Sequence, residues 1–286
     1  MENINTDQYN AIIESLKTIQ EIASNAHKAT VDKTRDFNQS RSITASVQNH
    51  PITQMTGDVM NPVSHPYQKT LFQECEWYLK SDTAPKPFCY LTFRGSGATY
   101  CMTSVAFWYA NNSIRQKVVL VSPTRSEEKG MSDMIRAMVD SIPSGCNLPR
   151  SIDKNHRKWK FPNGSVLELD TFNNISTSEH GAVHHYDADV LIINGAGFIP
   201  HKTNHLFETL VEEVCEKRSG KVILSSVPSM RKGVFHDYAM ITVGSRLCLH
   251  HTYEVHPTLD GKWASEMIKS IGQDKFDQEY RGYFVN

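Results

Sequence analysis

No apolar run in this chain approaches the roughly 18 residues of a membrane-spanning helix. Residues 1–6 are polar and mildly acidic, so no secretory leader opens it. The six cysteines (Cys75, Cys89, Cys101, Cys146, Cys215, Cys248) include no C-x-x-C pair. That spacing excludes a zinc-finger pattern and a disulfide framework, and points to reduced, structural thiols in a cytoplasmic protein. The histidines are scattered. His184–His185 and His250–His251 are adjacent pairs whose side chains would point to opposite faces of a strand, so no metal site is expected. Nor is there an excess of charge. The net value is −1, so any nucleic-acid contact must come from a local patch and not from a global basic field.

What is present fits a soluble globular protein. At roughly 100–200 residues per domain, the 286 residues make one large domain, or a domain with an appendage. Residues 1–64 are poor in aromatics and rich in Asn, Gln, Ser and Thr. Within them Ile12, Ile13, Leu16, Ile19 and Ile22 recur at helical spacing, which predicts an amphipathic helix over residues 7–27. Residues 30–64 read as an extended arm broken by Pro51, Gly57 and Pro62.

From Pro66 the pattern alternates between strand and helix. Strands are expected at 88–92, 117–122, 189–194, 221–226 and 247–255. Helices are expected at 70–79, 99–110, 126–141 and 205–217, with two more at 264–271 and 276–280. Residues 159–171 form a hairpin around Asn163-Gly164. Short, uniformly apolar strands such as K-V-V-L-V-S are typical of a buried parallel sheet. The fold class is therefore α/β, a doubly wound, mainly parallel sheet with flanking helices over 65–257, a helical closing segment over 258–286, and the N-terminal arm. Ligands in such folds bind at the carboxyl ends of the strands.

One segment carries chemistry by what is missing from it. Residues 91–100 read L-T-F-R-G-S-G-A-T-Y between an apolar strand and a helix, the context of a phosphate-binding loop. Such a loop ends in Gly-Lys-Ser/Thr. Here the triplet is Gly97-Ala98-Thr99, so the lysine that neutralises the β- and γ-phosphates is an alanine. A Gly-x-Gly after a strand also makes an ordinary tight turn.

The order of motifs from Pro66 to Asn286 resembles the ATPase domain of the large terminase subunit of tailed bacteriophages, the DNA-packaging motor. Pro66-Tyr67-Gln68 resembles its adenine-reading glutamine motif. Arg94-Gly95-Ser96-Gly97-Ala98-Thr99 resembles its Arg-x-x-Gly-Lys-Thr loop. V-L-I-I-N-G-A-G-F-I-P, residues 190–200, resembles its Walker B segment, and K-V-I-L-S-S-V-P, ending in Ser225, Ser226 and Pro228, resembles its coupling motif. The resemblance implies a P-loop NTPase-like fold with the nucleotide pocket at Gln68, Arg94, Gly95, Gly97 and Thr99. It also implies that three catalytic groups are replaced: the lysine by Ala98, the magnesium-binding Asp by Asn194, and the water-polarising Glu by Gly195. Phosphoryl transfer relies on charge and positioning, and the three losses together leave no useful turnover. The bland readings stand beside these. Gln68 is also a polar residue at a helix start, Arg94 a structural partner of Asp170 or another carboxylate, and Asn194-Gly195 a common strand-ending turn.

The expectation is a pseudo-ATPase with no cofactor that binds DNA, a phage packaging or replication protein, or a host protein through its N-terminal helix. No membrane is involved, and oligomers are compatible with it. The family's nuclease domain has no counterpart in the 286 residues. The alternative is an active packaging NTPase using ATP and Mg²⁺, in which Arg125, Lys129 or a neighbouring subunit's arginine replaces the lysine and Glu179 or Asp189 supplies the carboxylate. A structural interaction module is the third reading. Candidate nucleic-acid contacts are Arg150, Lys154, Arg157, Lys158 and Lys160, with Trp159 interleaved as a stacking surface, and Arg231 and Lys232.

Overall fold

The computed structural model of the protein describes residues 52–53, 59–60, 65–82, 86–142, 148–177, 185, 187–217, 219–229 and 232–285. Residues 41–141 and 148–286 form one compact unit, described below. Residues 1–40 and 142–147 group separately, and of these only Ile142 is described. The amphipathic segment expected at 7–27 lies outside the described residues. Within the arm, β1 (Ile52–Thr53) and β2 (Val59–Met60) pair antiparallel.

The remaining strands make one eight-stranded sheet. β3 (Phe88–Leu91), β4 (Lys117–Ser122), β7 (Val166–Thr171), β8 (Val190–Asn194), β9 (Lys221–Ser226) and β10 (Cys248–His250) run parallel. The two short strands β5 (Arg150–Ser151) and β6 (Lys158–Lys160) extend one edge antiparallel. The order across the sheet is β10-β3-β9-β8-β4-β7-β6-β5. Every residue of β3 and β8 is buried, as a sheet covered on both faces requires. β7 alternates half-buried and buried positions, because only one of its faces is fully covered. The expected P-loop NTPase-like α/β sheet is therefore the one observed. Leu91, Leu120, Ile192 and Leu224 lie on β3, β4, β8 and β9, within the parallel part of the sheet.

The helices that matter for the site follow from local chemistry. α1 (Pro66–Lys80) starts at Pro66, earlier than the apolar pattern suggests, because proline suits the first helical position. α2 (Ala98–Asn112) is apolar all round, and its residues 101–108 are all buried. α3 (Arg125–Asp140) is amphipathic. Thr124 caps it by accepting the Glu127 N–H, and Met131, Ile135 and Met138 form its buried stripe. The other helices are α4 (Phe172–Thr177), α5 (Asn204–Glu212), α6 (Val234–Thr242), α7 (Gly261–Ile271) and α8 (Gln273–Tyr280). Among the described residues no helix is long and apolar enough to cross a membrane.

Three expectations are corrected. The strand expected at 247–255 is only β10. After it His251 donates one more backbone bond to Leu91 O, and Tyr253–Val255 turns as a 3₁₀ helix. The turn carries Tyr253 into a second core cluster with Tyr67, Phe93, Ala264, Phe276 and Tyr280. The helix expected at 205–217 ends at Glu212 and gives way to a π turn over Glu213–Lys217. α6 has no counterpart among the expected helices, since V-F-H-D-Y-A-M-I-T is short and partly β-branched. Burial of Val234, Phe235 and Ala239 in the main core decides its conformation.

A buried base sits beside the second cluster. His251 packs edge-on to Tyr67 and Tyr90, and its Nδ1 lies 3.3 Å from the Tyr90 hydroxyl. Burial, and next the neighbouring His250, push its pKa down to about 4. Between the ordinary histidine value of about 6.5 and 4, the unfolded chain binds a proton that the folded chain refuses. Stability attributable to His251 is thus complete above pH 6.5 and is lost as the pH falls through this window. Urea midpoints measured from pH 7 to pH 4 should fall, and those of His251→Gln should fall less steeply.

Candidate functional site

The carboxyl ends of β3, β9 and β8 open into one cavity of about 690 Å³. β9 lies between the other two, so its last residues touch both neighbouring loops. Ser226 O accepts the Thr92 N–H at 3.1 Å, and Ser225 O accepts the Gly195 N–H at 2.7 Å. On one side stands the loop from Thr92 to Ala98, on the other the turn from Gly195 to Phe198, with Pro123, Thr124, Glu127 and Phe172 along the rim.

The loop at 92–98 is braced from below. Gly95 and Gly97 have φ of 87° and 76°, the left-handed region that a glycine occupies without strain. The Ser96 carbonyl accepts from the Tyr67 hydroxyl at 3.0 Å and from Gln68 Nε2 at 2.9 Å. Thr92 Oγ1 donates to Ser96 Oγ at 2.7 Å, which in turn receives the Ala98 N–H at 3.3 Å. The Gln68 amide oxygen also accepts the His65 N–H at 3.0 Å. Both ends of the Gln68 amide are thus engaged within the chain: it caps α1 and holds the loop. A Cβ on Gly97 would lie 2.8 Å from Gln68 Nε2, so the latch requires glycine there.

The structure brings the three replaced positions together. Ala98 opens α2 at the floor of the cavity. Asn194 ends β8 and donates through Nδ2 to Thr99 Oγ1 at 3.2 Å, a direct link between the position that the resemblance assigns to magnesium and a residue that it assigns to the nucleotide pocket. Gly195 has φ of 74°, and a Cβ there would lie 2.3 Å from Pro123 Cγ. This position is a left-handed turn packed on a proline ring and has no room for a glutamate on this backbone. Ser225 Oγ is fully buried at the cavity with no hydrogen-bond partner, Ser226 Oγ donates to Val227 O, and Pro228 is buried beside them.

Arg94 is the one cation lining the cavity among the described residues, and it is paired. Its partner is Glu279 of α8, not Asp170. The contacts are Nε–Oε2 at 2.8 Å and Nη2–Oε1 at 3.1 Å. Asp170 instead accepts from Asn174 at 2.7 Å and meets His185 Nε2 at 2.7 Å. One carboxylate on the rim escaped sequence reasoning. Glu127 lines the cavity, and burial, opposed by a backbone bond at Thr124, pushes its pKa up. Its place in the first turn after the Thr124 cap, just beyond the β4 strand end, is the signal that could have found it. Among the described residues the one cation lining the cavity is paired with Glu279, and the residue at the β8 end is an amide and not a carboxylate.

The described substitute groups proposed for an active site lie outside this cavity. Asp189 precedes β8, at the opposite end of the strand from the cavity, and accepts the Lys117 N–H at 2.6 Å. Arg125 and Lys129 line a separate cleft of about 390 Å³ with Arg136, Lys154 and Arg157. Glu179 is outside the described residues, as is Arg231; Lys232 is exposed. Among the nucleic-acid candidates, Arg150, Lys154 and Lys160 are exposed. Arg157 pairs with buried Glu128 at 3.4 Å, and Lys158 with Glu168 at 3.5 Å. Trp159 is corrected. It is 4 % exposed, and its indole N–H donates to His156 O at 2.8 Å, because the strand alternation that turns Lys158 and Lys160 outward turns Trp159 inward.

Two substitutions test this geometry. Gly195→Ala puts a side chain on a left-handed residue against Pro123 and should cost about 1–3 kcal/mol in chemical denaturation. Trp159→Ala should cost about 3–5 kcal/mol, the loss typical of a buried tryptophan. It should leave any affinity of the folded protein for single strands unchanged, since no base reaches the indole.

No protein-family model matches the sequence, and no curated protein matches it. The fold is similar to that of solved large terminases. The ATPase domain of the Thermus phage P74-26 large terminase aligns with a TM-score of 0.56 at 15% identity, over 77% of this chain and 94% of that one. The bacteriophage HK97 large terminase gives 0.61 at 11% identity, over 86% of this chain and 55% of that one. The large terminase of a thermophilic bacteriophage gives 0.55 at 11% identity, over 78% of this chain and 54% of that one. A further crystal form of that thermophilic-phage terminase contains ADP. The chain spans about half the length of these last two proteins. Its fold is that of the large-terminase ATPase domain.

Proposed function

We propose that the chain is a terminase-like protein that keeps the packaging-ATPase fold without hydrolysing ATP and serves as a binding or regulatory factor. The observation that carries this reading is the Asn194–Thr99 hydrogen bond beside Ala98 and Gly195. An amide stands where phosphoryl transfer needs a metal-holding carboxylate. The one cation lining the cavity among the described residues is bound to Glu279. Little then offsets the charge of a triphosphate or of the metaphosphate-like transition state. The ADP held by the thermophilic-phage terminase marks the chemistry from which this cavity departs.

The retained activity in this reading is binding, to DNA or to a phage or host protein in the cytoplasm of an infected cell. Support for DNA comes from the side chains of α3 and the loop before β6. Arg125, Lys129 and Arg136 recur on one stripe of α3 and share a cleft with Lys154 and Arg157. Exposed Arg150 and Lys160 lie opposite one another on β5 and β6.

Phosphate release from ATP by the unmodified protein should not exceed a buffer control. Steady turnover overturns the proposal and restores the active-NTPase reading, including one completed by a neighbouring subunit. Neutralising Arg150, Lys154 and Lys160 together should weaken DNA binding on any sequence. It should also flatten the slope of log affinity against log salt by about 0.7–0.9 for each phosphate no longer neutralised. An unchanged slope moves the function to protein contact through residues 7–27.

A further inference from the structure

The rim of the cavity is fastened from the last helix. Gln278 and Glu279 are consecutive residues of α8, and they hold the loops that follow two adjacent strands, β9 and β3. Glu279 engages Arg94 through both carboxylate oxygens, and its own carbonyl accepts the Arg94 N–H at 2.7 Å. Gln278 Nε2 donates to Pro228 O at 2.9 Å and Ser229 O at 3.0 Å, on the loop that follows β9. α8 is anchored behind these contacts by Phe276, fully buried, and by Tyr280, which packs edge-on to Trp263. A single helical turn therefore ties together the loop after β3 and the loop after β9.

The chemistry of the tie decides what the cavity accepts. A guanidinium presents a planar fork of donors that a carboxylate or a phosphate fills with the same geometry. With Glu279 in place the fork of Arg94 is taken. The pair is also exchangeable. The Arg94 side chain is 57% exposed, and an ion pair so open to water is held weakly by its charges alone. What keeps Glu279 there is its backbone bond and the buried anchor of α8. The cavity otherwise retains features of an anion cradle, with positive-φ glycines at 95 and 97 leading into the N-terminus of α2, where the Ala98 N–H is taken by Ser96 Oγ.

We infer that Glu279 is an internal anion that occupies Arg94 in place of a ligand phosphate, and that α8 is a strap that withholds the cavity's one described cation from polyphosphates until it is displaced. The inference rests on the reading of a non-hydrolysing cavity and adds the residue that withholds its cation. Displacing α8 frees Arg94 and, in the same movement, releases the loop at Pro228 and Ser229.

The test is calorimetric titration of the full chain with inorganic pyrophosphate, without divalent metal. Glu279→Gln and Glu279→Ala should each bind pyrophosphate at least about tenfold more tightly than the unmodified protein, the effect of one freed charge-assisted fork. The double variant Arg94→Ala/Glu279→Gln should return to the unmodified level. Should Glu279→Ala fail to fold, Glu279→Gln keeps the side-chain volume and decides alone. Equal affinity in the unmodified protein and the Glu279 variants, including no binding in any, overturns the inference. Retained binding in the double variant overturns it as well. These outcomes are separate from the hydrolysis assay. ATP turnover by the unmodified protein overturns the preceding function and the strap with it, while equal pyrophosphate affinities overturn the strap alone and leave that function standing.

Discussion

Two backbone carbonyls at the end of β9 hold the candidate site in shape. Ser226 O receives the Thr92 N–H and Ser225 O receives the Gly195 N–H, so the loops after β3 and β8 are registered against the same strand end. Neither bond involves a side chain. The arrangement therefore does not depend on which side chains occupy positions 98 and 194, provided that β9 stays between its neighbours and position 195 keeps its left-handed turn. That condition is met by the buried apolar faces of β3, β8 and β9, whose burial dominates the free energy of folding.

This separation explains how a pocket keeps its outline without the charges that the resemblance assigns to it. The core does not depend on the catalytic groups, and the pocket does not contribute much to the core. What changes is local. Where a charge is absent, neighbouring polar atoms satisfy each other: Asn194 bonds Thr99, Gln68 bonds Ser96, Arg94 bonds Glu279. Buried polar groups in proteins are paired almost without exception, and this cavity follows that rule nearly throughout. Ser225 Oγ is the departure from it.

The parallel strands were legible in the sequence because a sheet covered on both faces imposes uniform apolar runs, and K-V-V-L-V-S or V-L-I-I-N has few other uses. The loop glycines were legible because positive φ selects them. Other features had no local signal. The Arg94–Glu279 pair joins residues 185 positions apart, a partnership set by how α8 packs and by nothing near either residue. Trp159 lies among lysines in the chain, and only the pairing of β6 with β7 decides that it faces inward. At Gly195 the replacement of an expected glutamate was visible, but its left-handed backbone and its contact with Pro123 were not, because a dihedral angle leaves no mark on a one-letter string.

That contact has a consequence for how the chain can change. A glutamate at position 195 meets the ring of Pro123 unless the turn is rebuilt, so the effect of one substitution depends on the other residue, as for any two side chains in contact. Reaching a charged pocket through single replacements would first cross a less stable protein, and proteins have only a few kcal/mol to lose. The turn on Pro123 thus couples the two positions: a charge at 195 is reached only together with a change at 123 or in the turn itself.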